Sequence, residues 1–300
     1  MASVFATLPL PASREALASW ITPLELTALA AIWGASFLFM RIAAPEFGAL
    51  PLASVRLAFG ALALAPFVWL ARRELPVAIW PKLALIGALN SAIPFVLFAW
   101  TATRAPAGVS AIANSTTVLF TALVAFVAWR EPIGLRRAVG LGLGFLGVVV
   151  LAGGDAGGGD VMRGATAGTV AALLYGVAAN LVKRKLAGLP AVGIAGATLV
   201  ASALMLAPFG VAQWPGAPIS VRAWWCAIAI GVLCTGIAYA LYFRLIRRVG
   251  PGRAVTVTYL VPLFAVAWAW LVLGEPLTWP MALAGALILG GISLAQSKAK

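Results

Sequence analysis

Long apolar stretches separated by short polar breaks run along almost the whole chain. Gly, Pro or charged residues bound ten of them: 23–43, 50–71, 82–103, 107–128, 135–153, 165–183, 190–212, 222–244, 253–273 and 278–296. A helix needs about 20 apolar residues to cross a bilayer core, and these stretches have that length. Transmembrane β-strands are about half as long and alternate polar with apolar positions. The pattern therefore predicts an all-α polytopic membrane protein with ten transmembrane helices.

The composition agrees with a lipid surrounding. Apolar residues make up 63% of the 300 and charged residues 10%, which leaves too little polar surface for a soluble domain. We expect residues 1–300 to form a single membrane domain. The two cysteines, Cys226 and Cys234, share one apolar stretch and indicate no disulfide framework. Met1–Ser19 lacks the basic start and sustained apolar run of a signal peptide, so we expect a short cytoplasmic tail.

The basic residues lie in the breaks between spans, so the net charge of +13 does not indicate nucleic-acid binding. Cytoplasmic breaks carry an excess of Lys and Arg. With the N-terminus inside, the inner breaks hold sixteen: Arg14, Arg72, Arg73, Lys82, Arg130, Arg136, Arg137, Lys183, Arg184, Lys185, Arg244, Arg247, Arg248, Arg253, Lys298 and Lys300. The outer breaks hold Arg41, Arg104, Arg163 and Arg222. This asymmetry predicts a multi-pass inner-membrane protein with both termini cytoplasmic and an outward-facing Gly153–Gly164 loop.

The two halves of the chain resemble each other at a shift of 144 residues. Matching residues include Gly87 with Gly231, Ile93 with Ile237, Arg104 with Arg248, Phe120 with Phe264, and the Glu131-Pro132 step with Glu275-Pro276. Each half holds five predicted spans, an odd number, so the second half must enter the membrane in the opposite sense. We therefore expect two inverted five-helix repeats, residues 20–153 and 164–297, as in many secondary transporters.

The chain resembles the drug/metabolite transporter superfamily, EamA-type branch. The features that carry the resemblance are the five-plus-five plan, Trp33-Gly34, Arg56 and the two Glu-Pro steps. Within that branch the chain is similar to the YddG-type exporters of aromatic and other amino acids. The resemblance implies a secondary transporter or facilitator that exports small metabolites, neutral or aromatic amino acids among them, by alternating access. Because both repeats lie in one chain, we expect a monomer whose partners are a small-molecule substrate and membrane lipid, without a cofactor.

Polar residues at mid-span indicate where a substrate cavity could lie, because polar groups in hydrocarbon are costly without partners or water. Asn90-Ser91 and Asn114-Ser115 have Cys234-Thr235 and Thr258-Tyr259 as repeat mates, and Trp33-Gly34 has Tyr175-Gly176 as its approximate mate. The expected substrate-binding residues are Trp33, Asn90, Ser91, Asn114, Ser115, Tyr175, Thr235, Tyr239, Thr258 and Tyr259. The alternative is that such small polar residues only hold helices together.

Arg56 lies about five residues, or roughly 7–8 Å, inside the outer end of its span. At that depth the side chain could extend to the interface. Alternatively, it attracts a substrate carboxylate or closes an outer gate. The two Glu-Pro steps fit a structural role, since each carboxylate stands near a span end and the Pro sets the entry of the next helix.

The residue types that are missing limit the chemistry. The chain has no histidine, no acidic residue at mid-span and no GxxxxGK[ST] pattern, so ATP hydrolysis and a titratable proton carrier are not indicated. A membrane-embedded enzyme would need a general base or metal ligands, and we expect neither catalysis nor a metal. The alternatives are a broad drug exporter of the same superfamily and a non-transporting helper. The substrate's own gradient is the expected driving force.

Overall fold

The computed structural model describes residues 12–153, 158–250 and 254–296, which are helical with short connections and contain no strand. Their long helices are Ala12–Phe47 (α1), Ala49–Ala71 (α2), Val77–Ala102 (α3), Ala107–Trp129 (α4), Leu135–Gly153 (α5), Gly158–Lys185 (α6), Ala191–Ala212 (α7), Val221–Val249 (α8), Val257–Leu273 (α9) and Trp279–Gln296 (α10). Seven of them, α1–α4 and α6–α8, are long and apolar enough to cross a membrane, and α9 and α10 are shorter apolar helices. The all-α fold is confirmed, whereas ten spans remain a prediction.

Several helices extend beyond the apolar stretches that predict them. α1 begins at Ala12 although its membrane-spanning part begins at Thr22, so part of the expected tail is helical. α6 begins at Gly158, inside the predicted loop, of which residues 154–157 lie outside the described part. α8 continues to Val249. Hydropathy detects only the stretch that suits lipid, whereas backbone hydrogen bonds continue a helix into water.

Side-chain hydrogen bonds identify which helix termini meet at each end of the bundle. We call one end of the bundle the Arg41 end. There, Arg41 near the C-terminus of α1 donates to the carbonyl of Ala102 at the C-terminus of α3 (2.8 Å). At the other, the Glu131 end, Glu131 after α4 contacts Lys183 near the end of α6 (3.3 Å). α4 begins at the Arg41 end, because the backbone N–H of Ala107 donates to Glu275 beside Arg41 (2.9 Å).

Pairs of packed helices have matching pairs in which every helix number differs by five. α1 packs against α8 and α9, and α6 packs correspondingly against α3 and α4. α2 packs on α7 and α5 on α10, and each of these pairs is its own counterpart. A lateral arrangement of this kind is what two structurally similar five-helix units produce when they pack around a common axis.

Local irregularities recur at the same shift of 144 residues. α3 contains a π-helical turn at Ala88–Ala92, and α8 contains one at Val232–Ile237. Arg130 after α4 and Gly274 after α9 both adopt left-handed backbone conformations, with φ of 54° and 67°. Because a π turn inserts an extra residue into the helical register, α3 and α8 change the direction of their side chains at matching depths.

Candidate functional site

A cavity of about 740 Å³ lies between α1, α2, α3, α4, α6, α7, α8 and α9, and α5 and α10 contribute to its wall as well. It extends to the Glu131 end, where its wall includes Glu131, Arg137 and Lys183. Towards the opposite end the wall stops at Met40, one residue before Arg41. The volume lies within the range of small-molecule sites, about 300–1,000 Å³. The cavity is therefore large enough for a metabolite and reaches one end of the bundle.

Aromatic rings close the cavity towards the Arg41 end. Phe98 of α3 packs edge-on against Phe37 of α1, with 5.9 Å between ring centroids. Its other neighbour is Tyr175 of α6, which stacks on it at 6.0 Å. Phe98 is only 2% exposed. Three helices thus contribute one ring each to a layer of the cavity wall on the side of the Arg41–Glu275 ion pair.

Arg56 of α2 belongs to the cavity wall, and its side chain contacts α8. Its Nε donates to Oγ1 of Thr235 in the α8 π turn (3.2 Å). The guanidinium carbon lies 3.5 Å from the ring centroid of Phe95, a cation–π arrangement. One further nitrogen, Nη1, lies 3.6 Å from the sulfur of Met40. The side chain is therefore held inside the bundle and does not extend to the interface.

A second group of aromatic side chains lines the cavity between α1 and α8. The rings of Trp33 and Tyr242 lie 5.1 Å apart, and Phe243 contacts both Tyr242 (6.0 Å) and Tyr239 (6.3 Å). All four residues belong to the cavity wall. Trp33 and the tyrosines are partly exposed to the cavity, and ring faces of this kind contact apolar groups and cations.

The structure brings eight of the sequence-predicted site residues to the cavity wall: Trp33, Arg56, Asn90, Asn114, Ser115, Tyr175, Tyr239 and Thr258. The hydroxyls of Ser115 and Thr258 donate to carbonyls of their own helices, Ile112 (2.7 Å) and Val255 (2.8 Å).

Ser91, Thr235 and Tyr259 do not belong to the wall. Ser91 and Thr235 have no exposed surface, and Thr235 binds Ile230 O and Arg56. Tyr259 packs against a core cluster of α4, α5, α6 and α10. Neighbouring residues on a helix point about 100° apart, so a polar pair such as Asn90-Ser91 can present one member to the cavity and bury the other.

Other wall residues have no place in the sequence-based set. Asn180 of α6 donates to the carbonyls of Thr121 (2.9 Å) and Gly176 (2.9 Å), which ties α6 to α4. An asparagine in an apolar stretch is itself a signal, so Asn180 could have been found. Phe95 and Phe98 carry no such signal, because aromatic residues are common in every membrane helix.

Comparison with known proteins gives one family. The model described as EamA-like transporter family matches residues 23–153 and again residues 162–296. The uncharacterized transporter YoaV of Bacillus subtilis is 22% identical over 90% of this chain and 94% of its own length. The probable terminal-alkyne amino-acid exporter of Streptantibioticus cattleyicolor is 27% identical over 87% and 89%. These matches confirm the resemblance that the sequence indicates.

A solved crystal structure has the same fold. It aligns with a TM-score of 0.61 over 91% of this chain and 96% of its own, at 18% identity. The likeness therefore extends over nearly the whole chain.

Proposed function

Because the chain belongs to the EamA-like transporter family, we propose that it exports small amphipathic metabolites, neutral or aromatic amino acids among them. Membership makes the chain a multi-pass membrane transporter and not an enzyme, as the sequence predicts. The proposed substrate class draws support from the cavity and from one relative, the exporter in Streptantibioticus cattleyicolor, whose name specifies an amino acid.

The observation that carries the proposal is the mixed lining of the cavity. The rings of Trp33, Tyr239 and Tyr242 and the amides of Asn90 and Asn114 all belong to its wall. Neither amide makes a side-chain hydrogen bond to any described residue, so both are available to a solute. A solute with an apolar or aromatic side chain and a polar backbone group suits such walls.

Alternating access is the mechanism that we propose. The cavity reaches the Glu131 end and is closed by rings at the Arg41 end. In the inverted-repeat scheme, residues 20–153 and 164–297 exchange conformations and the cavity then opens at the other end. The packing pairs exchanged by a five-helix shift support this scheme. With both repeats in one chain the monomer suffices, and the Glu131 end faces the cytoplasm.

Counterflow in liposomes tests the proposal. Purified protein is reconstituted with unlabelled phenylalanine or leucine inside, and entry of the labelled amino acid is followed. We expect transient accumulation of label in protein-containing vesicles and none in protein-free vesicles. A broad drug exporter would instead exchange lipophilic cations such as tetraphenylphosphonium. Exchange of that cation without any exchange of amino acids would overturn the proposal.

A further inference from the structure

Arg56 is the charged group in the deep part of the cavity. The other charged residues of the wall, Glu131, Arg137 and Lys183, belong to the Glu131 end. None of the eight acidic residues of the chain lies within α2, and none lies in the middle of another predicted span. A solute that passes beyond the charged entrance therefore meets a single fixed positive charge.

The partners of Arg56 leave the charge of the guanidinium uncompensated. They are a hydroxyl (Thr235, 3.2 Å), a thioether (Met40, 3.6 Å) and a ring face (Phe95). Among the described residues Arg56 forms no ion pair, whereas Arg41, Arg184 and Arg248 do. A guanidinium has five N–H donors in a fork that matches a carboxylate, and removal of an unpaired charge from water is costly.

The packing of α2 does not require an arginine at this position. A Cβ added at Gly231 of α8 would lie 3.0 Å from the carbonyl oxygen of Arg56. The counterpart of Gly231 is Gly87 of α3, where a Cβ would lie 2.6 Å from the carbonyl oxygen of Thr198 in α7. The close contact between α3 and α7 is thus made with Thr198 in the place that Arg56 has between α8 and α2. The hydroxyl of Thr198 donates to Ala195 O of its own helix (2.9 Å). The positive charge of Arg56 is therefore present in one half of the chain only, and the matching helix contact in the other half is made without it.

We propose that Arg56 binds the carboxylate of the transported solute, and that this carboxylate is the group by which the solute is selected. The proposal rests on the export function above and narrows it to amphipathic carboxylates. Among the described residues a solute ammonium would meet amides, hydroxyls and ring faces, and no carboxylate lines the deep cavity. The amino group is therefore dispensable for binding, and 2-hydroxy acids with the same side chain belong to the substrate class.

Four compounds with one side chain test the selection without any mutation. Exchange of labelled phenylalanine is measured in the presence of one unlabelled competitor: phenylalanine, phenyllactate, phenylalanine methyl ester or phenethylamine. Phenyllactate keeps the carboxylate and lacks the amine, whereas the ester and phenethylamine lack the carboxylate. We expect phenyllactate to compete about as well as phenylalanine. Loss of a charge-assisted contact should weaken the other two competitors by about 10-fold to 100-fold.

Two variants of Arg56 assign the selection to this side chain. Arg56→Gln should remove the difference between phenyllactate and phenethylamine. Arg56→Lys should keep part of it, because an ammonium retains the charge but not the fork. The matched control is Arg104→Gln: Arg104 also lies over a ring (Trp100, 3.8 Å) but outside the cavity wall, and its replacement should leave the difference intact. Membrane content and melting temperature of each variant are measured in parallel.

The outcomes separate this inference from the proposed function. If wild-type protein exchanges phenylalanine but phenethylamine competes as well as phenyllactate, selection by the carboxylate is wrong and amino-acid export stands. If Arg56→Gln folds and retains the preference for carboxylates, the assignment to Arg56 is wrong. Labelled phenyllactate is followed in a parallel set of vesicles: if it is exchanged and labelled phenylalanine is not, the carboxylate site stands and amino-acid export is wrong.

Discussion

Arg41 of α1 and Glu275, which follows α9, form an ion pair with 2.9 Å between Nε and Oε1. The same two side chains also bind the neighbouring helix pair. Nη1 of Arg41 donates to the carbonyl of Ala102, and Oε2 of Glu275 accepts from the backbone N–H of Ala107. One ion pair thus ties α1 and α9 to α3 and α4 at the closed end.

Within the described part of the chain, the equivalent carboxylate at the other end links fewer helices. Glu131, 144 residues before Glu275, binds Lys183 and Arg184 near the end of α6. Arg184 also lies over the ring of Trp129. Neither Lys183 nor Arg184 has a hydrogen bond to α8 in the described part of the chain, although α8 is the counterpart of α3. The unequal linkage agrees with a cavity that reaches the Glu131 end.

Replacement of Glu275 should therefore loosen the closed end. Glu275→Gln removes one charge from a pair whose carboxylate side chain is 15% exposed, and a charge-assisted hydrogen bond is worth about 1.5–3 kcal/mol. We expect Met40→Cys, in the wall nearest to Arg41, to react faster with an impermeant thiol reagent added from outside when Glu275→Gln is present. Glu131→Gln is the matched control and should not accelerate that reaction. Equal rates with and without Glu275→Gln would contradict the prediction.

Trp33 should contribute directly to affinity for aromatic solutes. Trp33→Ala removes a cavity-facing ring and its contact with Tyr242, and we expect apparent affinity to fall by about 1–3 kcal/mol while folding is retained. Trp270→Ala is the control, because the Trp270 side chain is 61% exposed on the outside of the bundle. Competition by unlabelled tryptophan measures both. Wild-type affinity in Trp33→Ala, or an equal loss in the control, would assign Trp33 to packing.

Gly34 and Gly176 should be needed for helix packing in both halves. A Cβ at Gly34 would lie 2.7 Å from Cβ of Phe264, and one at Gly176 would lie 2.8 Å from the backbone of Phe120. We expect Gly34→Ala and Gly176→Ala each to destabilise the protein by about 1–3 kcal/mol through overpacking. Thermal unfolding in detergent measures this loss.

Gly142 of α5 provides the control for these two glycines, since nothing lies within 4 Å of a Cβ added there. Gly142→Ala should be neutral or stabilising, because alanine has the higher helix propensity. A loss of stability in Gly142→Ala as large as in Gly34→Ala would show that the close contacts are not the cause.

Cysteine labelling tests the orientation that the charge asymmetry predicts. Asp160 near the start of α6 and Lys185 at its end are both exposed, and the native Cys226 and Cys234 are buried. In intact cells an impermeant thiol reagent should modify Asp160→Cys and should miss Lys185→Cys. The reverse pattern would place the Glu131 end, and the cavity opening, outside.

Transport should proceed without an imposed pH difference. No acidic residue occupies the middle of a predicted span, and the acidic wall residue at the cavity entrance, Glu131, is paired with Lys183 and Arg184. Accumulation of labelled amino acid by counterflow is therefore expected to be the same in vesicles with equal and with unequal pH across the membrane. Strict dependence on a proton gradient would contradict this prediction and show that a group other than a mid-span carboxylate carries the proton.

Hydropathy determines the helical class and the approximate position of the helices, because a lipid surrounding requires long apolar runs with internal backbone hydrogen bonds. The stretch 107–128 corresponds closely to α4, Ala107–Trp129. Sequence matching at 144 residues likewise pairs Glu131 with Glu275, and both side chains bind basic residues near the end of another helix. These features depend on the local composition of the chain, which the linear sequence contains.

The direction of each side chain is decided by tertiary structure. Asn90 faces the cavity while Ser91 is buried, and Thr258 faces it while Tyr259 packs against a cluster of α4, α5, α6 and α10. The π turns at Ala88–Ala92 and Val232–Ile237 shift the register of α3 and α8, and no residue pattern in the sequence predicts them. The sequence also left the role of Arg56 open between the interface and the cavity. Contacts with Thr235 and Phe95, which are distant in sequence, hold it in the cavity wall, because only packing in three dimensions sets which helix faces meet.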